Sequence, residues 1–245
     1  LGLGYSNLGS TLMNMGMPYD SDEAREFAAA LTAILTGESY SASSEMASFL
    51  GPFPRYDDNA EHMLRVIRNH RRVVYDANPN QYEKLSIIVP GINKGKCPPY
   101  LLKSAMEAWD KALNLGENFG YRNAQSTCIA PTGTISLVMD CDTTGIEPDF
   151  ALVKFKKLIG GGYFKIVNQS VPFSLKNMGY PQEQINDILN YVIGTNTFDN
   201  APFINTITLK NRGLSENDIK KIESFLSTAY SLSSVFDKNI LGDEC

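Results

Sequence analysis

Apolar residues recur every three or four positions through most of the first half of the chain, a spacing typical of amphipathic helices. The pattern predicts helices over residues 24–35, 41–50, 59–75 and 101–115. Asp20 and Glu23 precede the first helix in a capping-box-like arrangement. Gly37 and Gly116 follow the first and the last, where glycine favours the end of a helix. Residues 76–99 are rich in Pro, Asn, Gly and Lys and predict a loop.

Shorter runs after residue 120 change the pattern from helices alone to helices alternating with strands. We expect strands over residues 126–130, 150–158 and 163–168, a short helix over 135–139, and a turn at Gly160, Gly161 and Gly162. Further helices follow Pro181, at a first helical position, and Ser215, with Asp218 completing the cap. Helices that alternate with short strands indicate an α/β fold.

The composition is that of a globular chain with a sizeable core. Of its 245 residues, 43% are hydrophobic and 20% are charged, with a mean hydropathy of −0.19. The 27 acidic residues outnumber the 22 basic ones and give a net charge of −5, which argues against broad binding to nucleic acid or anionic membranes. No apolar run is long enough to cross a bilayer and no secretion signal is visible, so we expect a cytoplasmic protein.

The four cysteines and two histidines do not form a recognisable reactive centre. Cys97, Cys128, Cys141 and Cys245 include no Cys-x-x-Cys pair, and free thiols are expected in a reducing compartment. The two histidines lie eight positions apart, which is not the spacing of a zinc pair on a helix. We therefore assign no metal ligand and no nucleophilic triad.

The strongest local motif is Ala-Pro-Thr-Gly-Thr-Ile-Ser at residues 130–136, called the PTGT loop below. An apolar segment ends at a proline, a glycine lets the backbone approach a ligand, and hydroxyls lie at Thr132, Thr134 and Ser136. N–H groups at the start of a helix, together with hydroxyl donors, can hold a phosphate without a cation. The motif is not a Walker loop because Gly-Lys-Ser/Thr is missing. The residues alone favour the alternative, a plain turn capped by a threonine.

Three carboxylates, Asp140, Asp142 and Glu147, lie within eight residues. Asp-x-Asp can hold Mg²⁺ or Mn²⁺ for a nucleotide, but a polar loop of Asx and Thr turns is favoured because such patterns are common.

Cys128 and Cys141 bracket the PTGT loop. Each could face a pocket or could be a small buried thiol, and the buried thiol is favoured. A solvated helix face is the favoured interpretation of Arg65, Arg68, Arg71 and Arg72. Strand-edge charges are the favoured interpretation of Lys154, Lys156 and Lys157.

Several short motifs, taken together and in order, resemble those of one enzyme family. They are LGYSNLG at 3–9, PYDSDE at 18–23, GPF at 51–53, GYRNAQ at 120–125, the run from APTGT to GIEPDF at 130–150, KKL and GGG at 156–162, NAP at 200–202 and LGDE at 241–244. With this ordered set, the chain resembles the adenosylcobalamin-dependent (class II) ribonucleotide reductases over nearly all of its length.

The resemblance implies an α/β fold that is a portion of a ten-stranded α/β barrel, with residues 1–245 forming one partial domain from its middle-to-late part. It also implies that the PTGT loop binds the phosphates of the substrate, which reverses the preference for a plain turn. The implied phosphate-binding residues are Pro131, Thr132, Gly133, Thr134 and Ile135, with the adjacent Ser136. Residues 140–147 are then expected to support the loop and to bind no metal.

One motif of that family is missing from the sequence. Its reductases use Asn-x-Cys-x-Glu, in which the cysteine becomes a thiyl radical and the glutamate acts as acid and base. No cysteine here has Asn two positions before it and Glu two positions after it. We therefore assign no catalytic residue to this chain. We expect the motif to lie upstream of Leu1, so that the chain is an internal piece of the enzyme and is inactive by itself.

The function implied by the resemblance is reduction of ribonucleotides, expected to be diphosphates, to the 2′-deoxyribonucleotides used in DNA synthesis and repair. The implied cofactor is adenosylcobalamin, the implied partners are the ribonucleotide and a dithiol reductant such as thioredoxin, and a homodimer stays open. Two alternatives stay open as well: the large subunit of a metal-dependent (class I) reductase, and a non-catalytic nucleotide-binding module. The PTGT form and the KKL and GGG segments favour the cobalamin class.

Overall fold

A computed structural model describes residues 1–157 and 163–242. The chain divides into two compact units, residues 1–148 and 149–245. The expectation that both units belong to one domain stays a prediction. The helices are α1 Leu8–Asn14, α2 Asp22–Leu50, α3 Tyr56–Val74, α4 Pro99–Phe119, α5 Gly133–Val138, α6 Ser170–Asn177, α7 Gln182–Ile193, α8 Thr206–Asn211, α9 Glu216–Leu226 and α10 Lys238–Leu241. The strands are β1 Val153–Lys157 and β2 Tyr163–Val167, and 3₁₀ turns cover Pro79–Gln81 and Leu232–Phe236.

The core of the first unit lies between α2, α3 and α4. Trp109 of α4 and Ile67 of α3 are almost fully buried there, together with Tyr121, which follows α4. The Tyr121 ring makes edge-to-face contacts with Tyr40 and Tyr56, at centroid distances of 5.6 Å and 6.3 Å. Aromatic pairs of this kind add directional packing to burial, so the three helices are joined by one aromatic cluster.

Gly37 lies inside a helix, although the sequence predicts that it ends one. α2 is continuous, so the helices predicted over 24–35 and 41–50 are one helix. A Cβ on Gly37 would lie 2.9 Å from the Cβ of Ala108 and 3.3 Å from a ring carbon of Trp109 on α4. Glycine is present because the two helices approach closely, not because the chain must turn.

Gly116 also lies inside its helix, where the sequence predicts a stop. The hydroxyl of Tyr121 folds back over it and donates a hydrogen bond to the Ala112 carbonyl at 2.8 Å. A Cβ on Gly116 would lie only 1.9 Å from that hydroxyl oxygen. α4 ends instead at Gly120, whose φ of +69° lies in the left-handed region that glycine adopts readily.

The predicted starts of three helices, α2, α7 and α9, have their caps within one residue of the expected position. Ser21, and not the predicted Asp20, caps α2 and accepts a hydrogen bond from a backbone N–H at 3.1 Å. Pro181 precedes α7 as its cap instead of occupying the first helical position. The cap formed by Ser215 and Asp218 is confirmed as a complete capping box on α9.

Three arginines of α3 that the sequence assigns to solvent form ion pairs. Arg68 donates to both carboxylate oxygens of Glu83, at 2.8 Å each, and Arg72 lies 2.6 Å from the same group. The hydrogen bonds, chiefly those from Arg68, lower the pKa of Glu83 to about 2. Arg71 contacts Asp110 of α4 at 2.5 Å. The interpretation as solvated charges is therefore wrong for these three residues.

Residues 126–130 do not form the predicted buried strand. Leu3 and Thr127 form one isolated parallel bridge. Leu3 N–H donates to the Ser126 carbonyl at 3.0 Å, and the Leu3 carbonyl accepts from Cys128 N–H at 2.9 Å. Ile129 is 63% exposed. The apolar run predicted a buried strand because hydrophobicity alone does not show whether a neighbouring segment covers it.

In the second unit, β1 and β2 form an antiparallel pair that begins with Val153 opposite Val167, as the alternating pattern predicts. The glycines predicted for the turn between them, 160–162, lie outside the described residues. Helices α8 and α9 and the 3₁₀ turn at Leu232–Phe236 contribute to a separate apolar core. Its fully covered members are Phe198, Leu209, Ile219, Ile222 and Val235.

A buried ion pair lies at the start of the second unit. Lys154, predicted as a strand-edge charge, places its ammonium 2.8 Å from the carboxylate of Asp149, whose side chain is 3% exposed. The other oxygen of Asp149 accepts a hydrogen bond from the Asn168 amide at 2.5 Å. Buried charges require such partners, so Lys154 acts in a buried ion pair and not as an exposed strand-edge charge.

The described residues are mostly helical, with one two-stranded sheet and one isolated bridge. The part of the chain that the structure describes forms no closed barrel. That the chain is a portion of a ten-stranded barrel therefore stays a prediction. Across the same described ranges, none of the helices combines the length and the apolar character needed to span a bilayer.

Candidate functional site

The PTGT loop leads directly into α5, which begins at Gly133. Thr132 before it has a left-handed backbone, with φ of +53°, which turns the chain sharply into the helix. The short helix predicted over 135–139 is confirmed; it begins two residues earlier, at Gly133, and ends at Val138. Positions 133–135 are exposed, and a Cβ on Gly133 would meet no heavy atom within 4 Å. The start of α5 therefore faces open space.

Three hydroxyl groups form a triangle behind the loop, here called the hydroxyl triangle. Thr132 Oγ1 and Ser136 Oγ are 2.8 Å apart. Ser6 Oγ lies 3.1 Å from the first and 2.6 Å from the second. A hydroxyl both donates and accepts, so the three groups can satisfy one another, and Ser136 is fully buried. Thr134 is exposed instead. The structure thus brings two of the three loop hydroxyls together and leaves Thr134 on the outer side.

The backbone N–H of Gly145 contacts two of the three hydroxyl groups of the triangle. Gly145 N–H donates to Thr132 Oγ1 at 2.6 Å and to Ser6 Oγ at 3.1 Å. Its φ is +49°, and a Cβ there would lie 2.8 Å from the carbonyl oxygen of Ala130. Both the backbone conformation and the close approach require glycine. The Gly-Ile-Glu-Pro stretch therefore supports the PTGT loop through main-chain contacts.

Asn7 and Tyr19 hold the same stretch at neighbouring positions. Asn7 Oδ1 accepts hydrogen bonds from the N–H and the hydroxyl of Thr143, at 3.1 Å and 3.3 Å. Thr143 Oγ1 accepts one from Ser10 N–H at 3.1 Å. The Tyr19 hydroxyl donates to the Ile146 carbonyl at 2.6 Å, and burial raises its pKa, which keeps it a donor. Residues 143–146 are thus held by the segment that surrounds α1.

The N–H dipoles at the start of α5, and not charged side chains of the surrounding segment, make the loop favourable to an anion. Residues 126–148 contain no Lys, Arg or His. The N–H groups in the first turn of an α-helix have no acceptor within the helix. Here these belong to residues 133–135, since Ser136 N–H is already bonded to the Thr132 carbonyl at 2.8 Å. Aligned N–H groups at a helix start favour an anion. The arrangement suits a phosphate that is held in place without being activated.

The nearby carboxylates do not come together as a metal site. Over residues 1–157 and 163–242, no group of three or more His, Cys, Asp or Glu side chains is arranged to hold a metal ion. Asp140 has a left-handed backbone, with φ of +56°, just after α5, and Glu147 is exposed. The arrangement of Asp140, Asp142 and Glu147 therefore gives no support to the metal-binding alternative.

The cysteines occupy different environments. Cys128 is exposed and lines a largely apolar cavity of about 450 Å³ together with side chains of α2 and α3. The interpretation as a buried thiol is therefore wrong for Cys128, and the position facing a pocket is confirmed. Cys141 is partly exposed, and Cys97 is buried, which raises the pKa of its thiol. Cys245 lies outside the described residues.

The partners of the loop were not identifiable from spacing. Ser6 lies 126 and 130 positions from its two hydroxyl partners, and Asn7 lies 136 positions from Thr143. No local pattern connects residues that are so far apart in sequence. The only signal available was that the LGYSNLG and GIEP motifs belong to the same ordered set.

Comparison with known proteins gives matches over the whole chain. The family model described as "Ribonucleotide reductase, barrel domain" matches residues 1–213. The vitamin B12-dependent ribonucleotide reductase of Bradyrhizobium diazoefficiens is 54% identical over 245 residues, which is 100% of this chain and 20% of that protein. That of Agrobacterium fabrum is 55% identical over 243 residues, 99% of this chain and 19% of the relative.

A more distant relative is the vitamin B12-dependent ribonucleoside-diphosphate reductase of Mycobacterium tuberculosis, 27% identical over 185 residues, 76% of this chain and 19% of that protein. The chain spans about a fifth of the length of these relatives.

Proposed function

Because the chain belongs to the ribonucleotide reductase family, by its match to the barrel domain, we propose that the full-length protein reduces ribonucleotides to 2′-deoxyribonucleotides with adenosylcobalamin. The family match and the names of the relatives support this activity. Since the chain spans about a fifth of those relatives, the activity is proposed for the whole protein, and the chain is proposed to carry one part of it.

The part proposed for this chain is to hold the phosphates of the substrate. The reaction removes the 2′-hydroxyl of the ribose, so the phosphates need only be fixed in position while the sugar reacts. The observation that carries the assignment is a helix start that is open in front and held from behind by the hydroxyl triangle. The proposed phosphate-binding residues are Pro131, Thr132, Gly133, Thr134, Ile135 and Ser136.

Within this set the residues have different tasks. The N–H groups of 133–135 and the exposed hydroxyl of Thr134 face the side on which an anion would lie. The hydroxyl groups of Thr132 and Ser136 are hydrogen-bonded within the triangle, and that of Thr132 also accepts from Gly145 N–H. These bonds fix the shape of the loop. Removal of Thr134 would therefore weaken phosphate binding directly, whereas removal of Ser136 would act through the loop.

Adenosylcobalamin, when bound, supplies a radical by homolysis of its cobalt–carbon bond. Over the described residues, no group of three or more His, Cys, Asp or Glu side chains is arranged to hold a metal ion. We assign these residues no contact with the cofactor and no step through it. The loop's N–H groups and hydroxyls are donors suited to phosphate.

The finer details follow from the same family. We infer that the substrate is a diphosphate, as the name of the mycobacterial relative supports. A thiol pair loses two hydrogen atoms and becomes a disulfide; one of them leaves with the ribose 2′-hydroxyl as water, and the other forms the new C2′–H bond. The ten-stranded barrel is proposed for the full-length protein, with this chain as one portion of it, and the radical-forming cysteine is proposed to lie outside this chain. The described cysteines are free, which agrees with a reducing cytoplasm.

The proposal is tested with the full-length protein, kept anaerobic, with a nucleoside diphosphate and a dithiol. Deoxynucleotide is measured with and without adenosylcobalamin. Product that forms only with the cofactor is the expected result. Product that instead requires a separate radical-generating subunit would indicate a class I large subunit. A folded protein that binds nucleotide but forms no product under either condition would favour the non-catalytic module.

A further inference from the structure

Ser6 connects three stretches of the chain that are far apart in sequence. Its Oγ lies 2.6 Å from the hydroxyl of Ser136 and 3.1 Å from that of Thr132. It accepts a hydrogen bond from Gly145 N–H at 3.1 Å and lies 3.4 Å from the carbonyl oxygen of Thr143. One small side chain therefore contacts the loop, the first turn of α5 and the Gly-Ile-Glu-Pro stretch.

The backbone presents this hydroxyl from a fixed position. Three residues earlier, Leu3 is bridged to Thr127, and immediately afterwards Asn7 caps α1 with φ of +70°. The next residue along, Leu8, is buried in an apolar cluster. Because both flanks are held, the main chain at Ser6 has little freedom to bring another group into the place of a lost hydroxyl.

Thr132, whose hydroxyl lies 3.1 Å from that of Ser6, is the residue of the loop that has a left-handed backbone. A β-branched residue rarely adopts the left-handed conformation seen at Thr132, so its surroundings must hold it there. Those surroundings are Ser6, Ser136 and Gly145, all of which contact its Oγ1. The conformation at position 132 sets the direction in which the N–H groups of 133–135 point. Ser6 thus acts on the anion-facing groups without touching the anion.

We propose that Ser6 is a positioning residue for the substrate phosphate: its hydroxyl holds the PTGT loop in the shape that binds. The inference rests on the proposed function, because it assumes that the loop takes a phosphate. A serine with a merely structural role would change stability and would affect all ligands alike. A positioning serine changes the affinity for ligands that carry a phosphate and leaves the affinity for the sugar and base unchanged.

The experiment compares Ser6→Ala with the wild type in the full-length protein. Ser6→Thr keeps the hydroxyl, and Ser48→Ala serves as a matched control, because Ser48 is an exposed serine bonded only within α2 to the Glu45 carbonyl at 2.7 Å. Dissociation constants are measured by calorimetry for a nucleoside diphosphate and for the same nucleoside without phosphates. Hydrogen exchange of residues 130–138 in the ligand-free protein reports the loop itself.

Ser6→Ala is expected to weaken diphosphate binding about fivefold to thirtyfold, the equivalent of one to two lost hydrogen bonds. Binding of the bare nucleoside is expected to stay unchanged, and exchange at 130–138 to become faster. Ser6→Thr is expected to retain the wild-type affinity for the diphosphate and the wild-type exchange rate at 130–138, and Ser48→Ala is expected to change neither quantity. If Ser6→Ala does not fold, Ser136→Ala takes its place with the same expectations, because it removes the hydroxyl nearest to Ser6.

Two results would overturn the inference while the proposed function stands. One is an equal affinity of the wild type and the Ser6→Ala variant for the diphosphate. The other is an equal loss of affinity for the diphosphate and the bare nucleoside. A wild type that does not bind the diphosphate at all overturns the proposed function and this inference together, and it is recognised because the failure precedes any substitution.

Discussion

Gly133→Asp separates phosphate binding from folding more clearly than any other change in the loop. A Cβ at this position meets open space, so the new side chain forces nothing to move. Position 133 is also the first residue of α5, where a carboxylate is favourable to the helix by about 0.3 to 1 kcal/mol. The variant is therefore expected to be at least as stable as the wild type.

The same carboxylate occupies the side from which a phosphate would approach. Two like charges about 4 Å apart repel by about 1 kcal/mol in water and about 4 kcal/mol near a protein surface. The expected loss of affinity for a nucleoside diphosphate is thus between about fivefold and about a thousandfold. Gly133→Asn is the matched control, since it has nearly the same shape without the charge.

The assay is calorimetric titration of the full-length variants with a nucleoside diphosphate at low and high salt. The aspartate variant should bind far more weakly than the asparagine variant, and salt should narrow the difference because it screens exposed charges. Thermal unfolding of both confirms that the fold is intact. Equal affinities for the two variants would refute the assignment of the helix start as the phosphate site.

Three further predictions concern the fold that carries the site. Gly116→Ala should lower the free energy of unfolding by about 1 to 3 kcal/mol, because its Cβ would lie 1.9 Å from the Tyr121 hydroxyl; an unchanged midpoint in urea would contradict this packing. The pKa of Glu83 is about 2 when folded against an ordinary 4.5, so its ion pairs stabilise fully above pH 4.5, and that stabilisation is lost as the pH falls toward 2. Glu83→Gln should flatten the dependence of the melting temperature on pH within that window, and an unaltered slope would count against the pairs. Ser215→Ala should cost about 1 kcal/mol by removing the cap of α9, whereas Ser224→Ala, at an exposed site within α9, should cost little in the same denaturation assay.

Local features of the fold were predictable from the sequence, and close contacts between distant segments were not. The cap of α9 is confirmed because both of its members lie within four positions and act on the same helix end. Gly37 and Gly116 were misinterpreted as helix ends, since a sequence cannot show that a glycine faces a neighbouring helix or a tyrosine hydroxyl. The same limit applies to the ion pairs of α3, whose partner Glu83 lies in the following loop.

The candidate site divides in the same way. The PTGT loop attracted attention through its own residues, because proline, glycine and hydroxyls in succession have local conformational consequences. Those residues alone favoured a plain turn, and the phosphate assignment came from the resemblance to the reductase family. Ser6 was not identified, because its role arises only when the two ends of the first unit meet. The carboxylates at 140–147 left a metal site open only as the less favoured alternative to a supporting role. The structure uses the backbone of this stretch, at Gly145, to support the loop.

The contacts of Ser6 have a consequence for the order of folding. Bringing together residues 130 positions apart closes a large loop of unfolded chain, at an entropic cost of about 4 kcal/mol plus a constant. Contacts of such high sequence separation form slowly compared with helices and helix pairs. α2, α3 and α4 can therefore assemble while the hydroxyl triangle is still open. The anion site would be among the last features of the first unit to form, so phosphate would bind only to chains that have finished folding and would shift the equilibrium toward them.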